Sequence, residues 1–321
     1  MTQPLIARPA RPEWGELPAT VRSGIEHASG GSLFSVESMA GGYGPGMASL
    51  LQRDDGARFF VKAISASINP QGPDIYGRER DILERLPLDA PISQLVATFT
   101  DGQWLALIFG EVIGRNPEWS REGDLDLVLS SMTDLARAMS PPPAPAPRAA
   151  DLWDEDFAGF RRLAATKAHF EPAVRARYGD WAADGLDRLA TLEASGASAV
   201  VGETLLHGDL RDDNMLITPA GEVVFVDWPE ACIGPAWFDL LLMLPSVALT
   251  IGLDAVEQVV ATHGSIADVD SRAVDAALTG VAGYFVHSSL QPPPPGLPTV
   301  REFQRVQGLA AVEWLQQRHA V

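Results

Sequence analysis

Residues 205–240 read LLHGDLRDDNMLITPAGEVVFVDWPEACIGPAWFDL, and this stretch decides the reading of the chain. It holds two short apolar runs, Met215 to Ile217 and Val223 to Val226, around Thr218-Pro219-Ala220-Gly221-Glu222. Proline and glycine in the connecting piece favour a turn, so the runs predict a β-hairpin. With the turn centred between Ala220 and Gly221, Asn214 lies directly opposite Asp227. An amide oxygen and a carboxylate then meet at the hairpin mouth. Hard cations such as Mg²⁺ take a few oxygen ligands of this kind and complete their shell with water and phosphate oxygens. Asp209 stands shortly before Asn214, next to Gly208, which allows a tight backbone. A carboxylate there can orient an attacking hydroxyl and accept its proton.

The order His207-Gly208-Asp209-x-x-x-x-Asn214, then Asp227, has the spacing of a kinase catalytic loop followed by its magnesium aspartate. Here the sequence resembles the aminoglycoside phosphotransferase and choline kinase family. That family carries H-G-D-x-x-x-x-N, then an aspartate followed by an aromatic residue, here Asp227-Trp228. It then carries G-x-x-x-x-D-L, here Gly234 to Leu240. Three residues of H-G-D match often by chance, and the added spacing makes the pattern specific. The resemblance implies a catalytic base or hydroxyl-orienting role for Asp209 and Mg²⁺ ligation by Asn214 and Asp227. It implies that His207 braces the catalytic loop and that Asp239 holds the same loop from the following helix. Asp239 equally suits a plain charge at a helix N-terminus.

The residues upstream provide a separate check. Leu33 to Met39, Met47 to Leu51, Phe59 to Ala63, Leu95 to Phe99 and Leu105 to Phe109 are short apolar runs split by turns. They predict an antiparallel sheet, interrupted by a helix over Tyr76 to Leu86. Leu17, Val21 and Ile25 predict a helix before the sheet. Of the 24 basic residues only Lys62 and Lys167 are lysines, and Lys62 is the one charge in the strand Phe59 to Ala63. A compact ammonium and a planar guanidinium are not interchangeable at a fitted phosphate site. The resemblance pairs Lys62 with Glu79 in the helix; Glu84 is the rival partner. Gly42 and Gly44, in the glycine-rich turn Ala40 to Gly46, would let backbone N–H groups approach phosphates, although a plain hairpin turn fits as well. By the same resemblance, adenine would bond to main chain near Phe109, Glu111 and Val112.

Beyond about Gly114 the pattern turns helical, over Leu125 to Met139, Trp153 to Leu163, Val274 to Phe285 and Phe303 to Leu315. The resemblance thus implies an α+β, protein-kinase-like bilobal fold. Residues 1–111 would form the antiparallel sheet lobe with one key helix, which binds nucleotide. Residues 112–321 would form a larger, mostly helical lobe with the catalytic loop, metal site and acceptor site.

The 321 residues carry a net charge of −18, which disfavours nucleic acid and anionic membrane as partners. The single cysteine, Cys232, excludes an intrachain disulfide. Met1 to Trp14 has no apolar core of signal-peptide type, and the apolar stretch Leu240 to Leu253 is too short to span a bilayer. A cytoplasmic protein is expected. The resemblance implies a phosphotransferase that moves the γ-phosphoryl group of ATP or GTP, with Mg²⁺, to a hydroxyl of a small molecule. A cationic or amino-sugar acceptor leads, with Glu230, Trp228 and Asp154 as candidate contacts. Trp153 and Trp237 offer further stacking surfaces. The alternative is a kinase-fold protein that binds a nucleotide or metabolite without transfer. A protein kinase fits less well, since D-F-G and A-P-E segments are missing.

Overall fold

The computed structural model describes residues 11–39, 44–294 and 297–319. In chain order the elements are α1 (Ala19–Ala28), β1 (Leu33–Ser38), β2 (Met47–Arg53), β3 (Arg58–Ser65), α2 (Gly72–Leu83), β4 (Leu95–Thr100) and β5 (Trp104–Gly110). Next come α3 (Asp124–Ala138), α4 (Ala149–Asp156), α5 (Gly159–Ala165), α6 (Lys167–Asp184), α7 (Leu186–Glu193) and α8 (Gly196–Ala199). After β6 (Thr204–Leu206), β7 (Met215–Ile217), β8 (Val223–Phe225) and β9 (Cys232–Gly234), the chain ends in α9 (Trp237–Ile251), α10 (Leu253–Thr262), α11 (Ser271–Ser289) and α12 (Val300–Arg318). The fold is α+β and protein-kinase-like. No helix among the described residues is long and apolar enough to cross a membrane.

The chain divides into two compact units. The first takes the chain up to Asn116 together with Asp213–Glu230 and Pro294–Pro298. Its frame is a five-stranded antiparallel sheet in the order β1-β2-β3-β5-β4. Strand alternation gives the sheet two faces. Val61 and Ala63 join Met47, Leu51, Ala106 and Ile108 in a core with Leu17, Val21 and Ile25 from α1 and its approach. Lys62, between Val61 and Ala63, points to the other face. Its register neighbours are Ala48 and Leu107. Helix α2 begins a turn earlier than the expected Tyr76, because Pro73 suits a first helical turn, where its missing N–H costs nothing.

The hairpin β7–β8 belongs to the first unit and is tied to it at both edges. Phe225 N–H donates to Pro91 O (2.8 Å), and Ile217 N–H donates to Arg115 O (2.7 Å). Its register corrects the sequence reading. Met215 pairs with Phe225 and Ile217 with Val223, so Asn214 stands opposite Val226. Val226 N–H donates to Asn214 O (3.0 Å), and Asp227 lies one residue past the pair. The loop has an odd number of residues, Pro219-Ala220-Gly221. Thr218 N–H closes it on Glu222 O (2.8 Å), and Gly221 takes φ 81°. A glycine in the left-handed region at the end of a three-residue loop is what this hairpin type requires.

The second unit takes Pro117–Asp212, Ala231–Pro293 and Thr299–Val321. It is helical except for the two-stranded β6–β9 ladder, where Leu206 faces the buried Cys232. The helix expected over Trp153 to Leu163 is two helices, α4 and α5, with a break at Phe157 and Ala158. The break is stabilised from outside the segment. The Glu193 carboxylate, from α7, accepts Phe160 N–H and Arg161 N–H at 2.9 Å each in the first turn of α5. A single-helix pattern carries no sign of such a distant cap.

Candidate functional site

In the first unit the charged groups meet on the sheet face opposite α1. The strand-to-helix pair forms with Glu79: Lys62 Nζ lies 2.5 Å from Glu79 Oε2. Lys62 Nζ also donates to Asp227 Oδ1 at 2.6 Å. Glu79 and Lys62 are buried, while Asp227 is half-exposed at the open side of the cluster. Burial alone would lower the Lys62 proton affinity, but Asp227 and Glu79 outweigh it and hold the ammonium above the usual lysine range. Burial pushes the Glu79 carboxyl up to about 7, against the pull of Lys62. Asp227 adopts φ 70°, a left-handed conformation that a residue with a side chain seldom takes.

Two aromatic rings frame the ammonium. Tyr76 from α2 lies with its ring centre 5.0 Å from Lys62 Nζ, and Phe109 from β5 at 5.8 Å. Burial pushes the Tyr76 hydroxyl up to about 12. A Cβ on Gly46 would stand 2.6 Å from the Tyr76 hydroxyl oxygen and 2.7 Å from Ala63 O, so only glycine lets the turn pack here. Gly44 is in the same turn, whereas Gly42 lies outside the described residues. Past β5, Glu111 pairs with Arg58 (2.9 Å) and its N–H donates to Arg58 O (3.3 Å). Val112 follows, half-buried.

Asn214 is buried next to Val226, and Asp227 follows at the hairpin mouth. Among the described residues there is no group of three or more His, Cys, Asp or Glu side chains that could cage a metal. One carboxylate with one amide suits Mg²⁺, which keeps several waters and shares its shell with substrate phosphates. This donor set therefore fits Mg²⁺ bound together with a nucleotide.

In the second unit, Asp239, in the first turn of α9, holds the loop His207-Gly208-Asp209. Its Oδ2 accepts His207 N–H (2.8 Å) and its Oδ1 accepts Gly208 N–H (2.9 Å). Gly208 takes φ 81°, which lets two successive N–H groups turn toward one carboxylate. His207 is fully buried, and its Nδ1 accepts Asp209 N–H at 3.3 Å. Burial raises the Asp239 carboxyl above the usual range, although His207 and the two N–H groups oppose it. Asp209 is more than one-third exposed, with Arg211 Nη2 at 3.2 Å from its Oδ2. Arg211 in turn lies 5.4 Å over the Phe303 ring.

The acceptor candidates fare differently. Trp228 is fully buried and its indole N–H donates to Phe225 O (3.4 Å), so it offers no stacking surface. Trp153 is buried too, bonded to Glu193 O (2.8 Å), and Trp237 is almost as enclosed. These tryptophans are core, because large rings gain most from burial. Asp154 is exposed and paired with Arg161 (2.6 Å). Glu230 is exposed. Tyr76, Arg11 and the Arg211–Phe303 stack escaped sequence reasoning. Arg211 had a visible signal, its place two residues after Asp209, while Arg11 had none.

The chain belongs to the phosphotransferase enzyme family, whose model matches residues 48–274. This is a family of small-molecule kinases. The fold is shared with a thermostable mutant of the aminoglycoside phosphotransferase APH(4)-Ia in ternary complex with ADP and hygromycin B, at 13% identity and TM-score 0.62, over 92% of this chain and 97% of that one. It is shared with the choline kinase LicA from Streptococcus pneumoniae, at 15% identity and TM-score 0.59, over 93% and 100%. The spectinomycin phosphotransferase APH(9)-Ia, in complex with ADP and spectinomycin, matches at 13% identity and TM-score 0.57, over 89% and 94%. At these identities the likeness is one of fold. No curated protein sequence matches the chain.

Proposed function

We propose that the chain transfers the γ-phosphoryl group of ATP or GTP to a hydroxyl of a small molecule, with Mg²⁺. The observation that carries this reading is the double engagement of Lys62 by Glu79 and Asp227. A strand lysine fixed by a helix glutamate is the arrangement that presents an ammonium to nucleotide phosphates. Asp227 and Asn214 would hold the metal, which supplies charge neutralisation at the phosphates when bound. The Gly44 turn would face the phosphates, and the main chain after Phe109 would face the base. The Glu111 N–H is already committed to Arg58 O, so Val112 is the favoured main-chain contact.

Asp209 would orient the acceptor hydroxyl and take its proton. Arg211 pairs with it at 3.2 Å, and the Asp239 grip fixes the loop's backbone. Catalysis in such a site is positioning and charge stabilisation rather than covalent chemistry with the protein. For the acceptor, a cationic or amino-sugar alcohol remains the leading class. The −18 charge favours it and Glu230 is exposed, while Trp228 drops out as a contact. The amino-sugar and choline chemistry of the relatives points the same way.

The test is calorimetry with Mg·ATP and Mg·GTP, followed by nucleotide turnover across a panel of small alcohols. Binding and acceptor-dependent turnover are expected, with Asp209→Ala lowering turnover by about 10²–10⁴-fold while nucleotide binding persists. A chain that binds neither nucleotide, or an Asp209→Ala variant that turns over normally, refutes the reading.

A further inference from the structure

Lys62 brings one positive charge to the first unit's site, and two carboxylates already answer it. Counted with both carboxylates, the cluster's own side chains carry no net positive charge, so a further cation beside Lys62 would add to the hold on a phosphate chain. Three other arginines of the same unit are committed to carboxylates, Arg53 to Asp55, Arg58 to Glu111 and Arg80 to Asp81, while among the described residues Arg22, Arg78 and Arg85 share with Arg11 the lack of such a pair but not its bond to the glycine turn. Arg11 is different. Its Nε donates to Gly44 O at 2.8 Å, and it makes no ion pair with a carboxylate among the described residues. It is partly buried although it stands near the start of the described chain.

The segment that delivers Arg11 is anchored. Glu13 N–H bonds to Glu16 Oε2 (2.8 Å) around the short turn Trp14–Glu16. Leu17 then enters the sheet core with Val21 and Ile25. The guanidinium is thereby laid on the glycine turn whose next glycine, Gly46, packs on Tyr76, the ring beside Lys62 Nζ. Burial lowers the Arg11 proton affinity and the fields of Tyr76 and Asp227 raise it, so both groups act on it.

We propose that Arg11 is a phosphate-binding residue of the nucleotide site, held on the Gly44 turn by the N-terminal segment. This rests on the nucleotide reading above and adds a residue to it. The Nε bond to Gly44 O fixes the plane of the guanidinium, and among the described residues neither terminal nitrogen has a hydrogen-bond partner, so both are placed to take a phosphate. A fork with five donors can bond to main chain and an anion at once, which an ammonium does less well.

The experiment is calorimetry of the full chain, in Mg²⁺, with adenosine, ADP and ATP, for wild type, Arg11→Gln and Arg11→Lys. Arg11→Gln is expected to weaken ADP and ATP by roughly five- to tenfold and adenosine by less than about twofold, with Arg11→Lys between. The salt dependence of ATP binding should also flatten in Arg11→Gln. Equal weakening of all three ligands would make Arg11 a turn anchor only and overturn the proposal, as would no change in any. A wild type that binds none of the three refutes the nucleotide reading itself. A wild type that binds, with an unaltered Arg11→Gln, refutes the Arg11 inference alone.

Discussion

The two units use buried carboxylates for opposite ends. In the first, Glu79 faces a side-chain cation, and the cluster Lys62–Glu79–Asp227 is an exchange of charge among three ionisable groups. In the second, Asp239 faces main chain, accepting His207 N–H and Gly208 N–H, and Glu193 does the same for Phe160 N–H and Arg161 N–H while its Oε2 also takes the Arg161 guanidinium at 3.2 Å. A cation partner makes a carboxylate part of the chemistry, because the pair can be exchanged against a ligand. A main-chain partner makes it part of the architecture, because the N–H groups have nowhere else to go once buried. Substitutions should therefore separate the two kinds by what they spoil, activity or folding.

Among the residues of this comparison the largest effect is expected at Lys62. Lys62→Met removes the one cation that Glu79 and Asp227 share. Turnover should fall by about 10²–10³-fold, the scale of losing one charge stabiliser in a preorganised site. Stability should fall by about 3–5 kcal/mol, because a carboxylate is left buried without its partner. The double change Lys62→Met, Glu79→Leu should recover most of the stability and none of the activity. Urea titration with a turnover assay reads both. Recovery of activity in the double variant would place the chemistry elsewhere.

How much of this was legible in the sequence depended on whether a residue's partner was local. The strand positions of Phe59 to Ala63 were legible from β-branched and aromatic runs, and so was Lys62 as the lone charge among them. Its pairing with Glu79 rather than Glu84 came from a family pattern, since periodicity placed Glu79 only on a neighbouring helix face. The hairpin was legible and its register was not. Pro219-Ala220-Gly221 allows an even or an odd loop, and the left-handed Gly221 settles on the odd one. Trp228 was misjudged because a tryptophan next to a site aspartate looks the same in sequence whether it stacks on a ligand or fills the core. Arg11 and the Glu193 cap act across 33 and 33 positions respectively, and no local signal marks either.

Asp239 sharpens the comparison from the other side. Asp239→Ala leaves two enclosed N–H groups without an acceptor and should cost about 2–4 kcal/mol. Asp239→Asn keeps one oxygen and should cost less than half of that. Turnover should drop in both, and nucleotide affinity should not, because the first unit's cluster is untouched. Denaturant midpoints and nucleotide titration decide it. A variant that folds like wild type yet loses nucleotide binding would mean that Asp239 acts on the phosphate side after all.

The smallest effect is a dependence on pH, and it isolates the architectural kind of carboxylate. Burial pushes Glu193 up to about 7, although Arg161 and two N–H groups oppose the shift. Its folded value thus lies above the unfolded one, near 4.5. The folded state then holds the proton more tightly, so Glu193 contributes most stability below the unfolded value. That contribution is lost as pH rises, and the loss is complete near the folded value. Between pH 5 and pH 8 the wild type should lose about 2 kcal/mol relative to Glu193→Gln, whose amide does not titrate. Glu193→Gln keeps one acceptor oxygen for an N–H of α5, so the comparison is of slopes rather than of absolute stabilities. Parallel slopes would mean that Glu193 is ionised throughout, with the two N–H bonds and the Arg161 guanidinium outweighing burial. Main-chain N–H groups together with one guanidinium would then hold a charge as firmly as Lys62 does, and the clean main-chain case in the second unit would be Asp239.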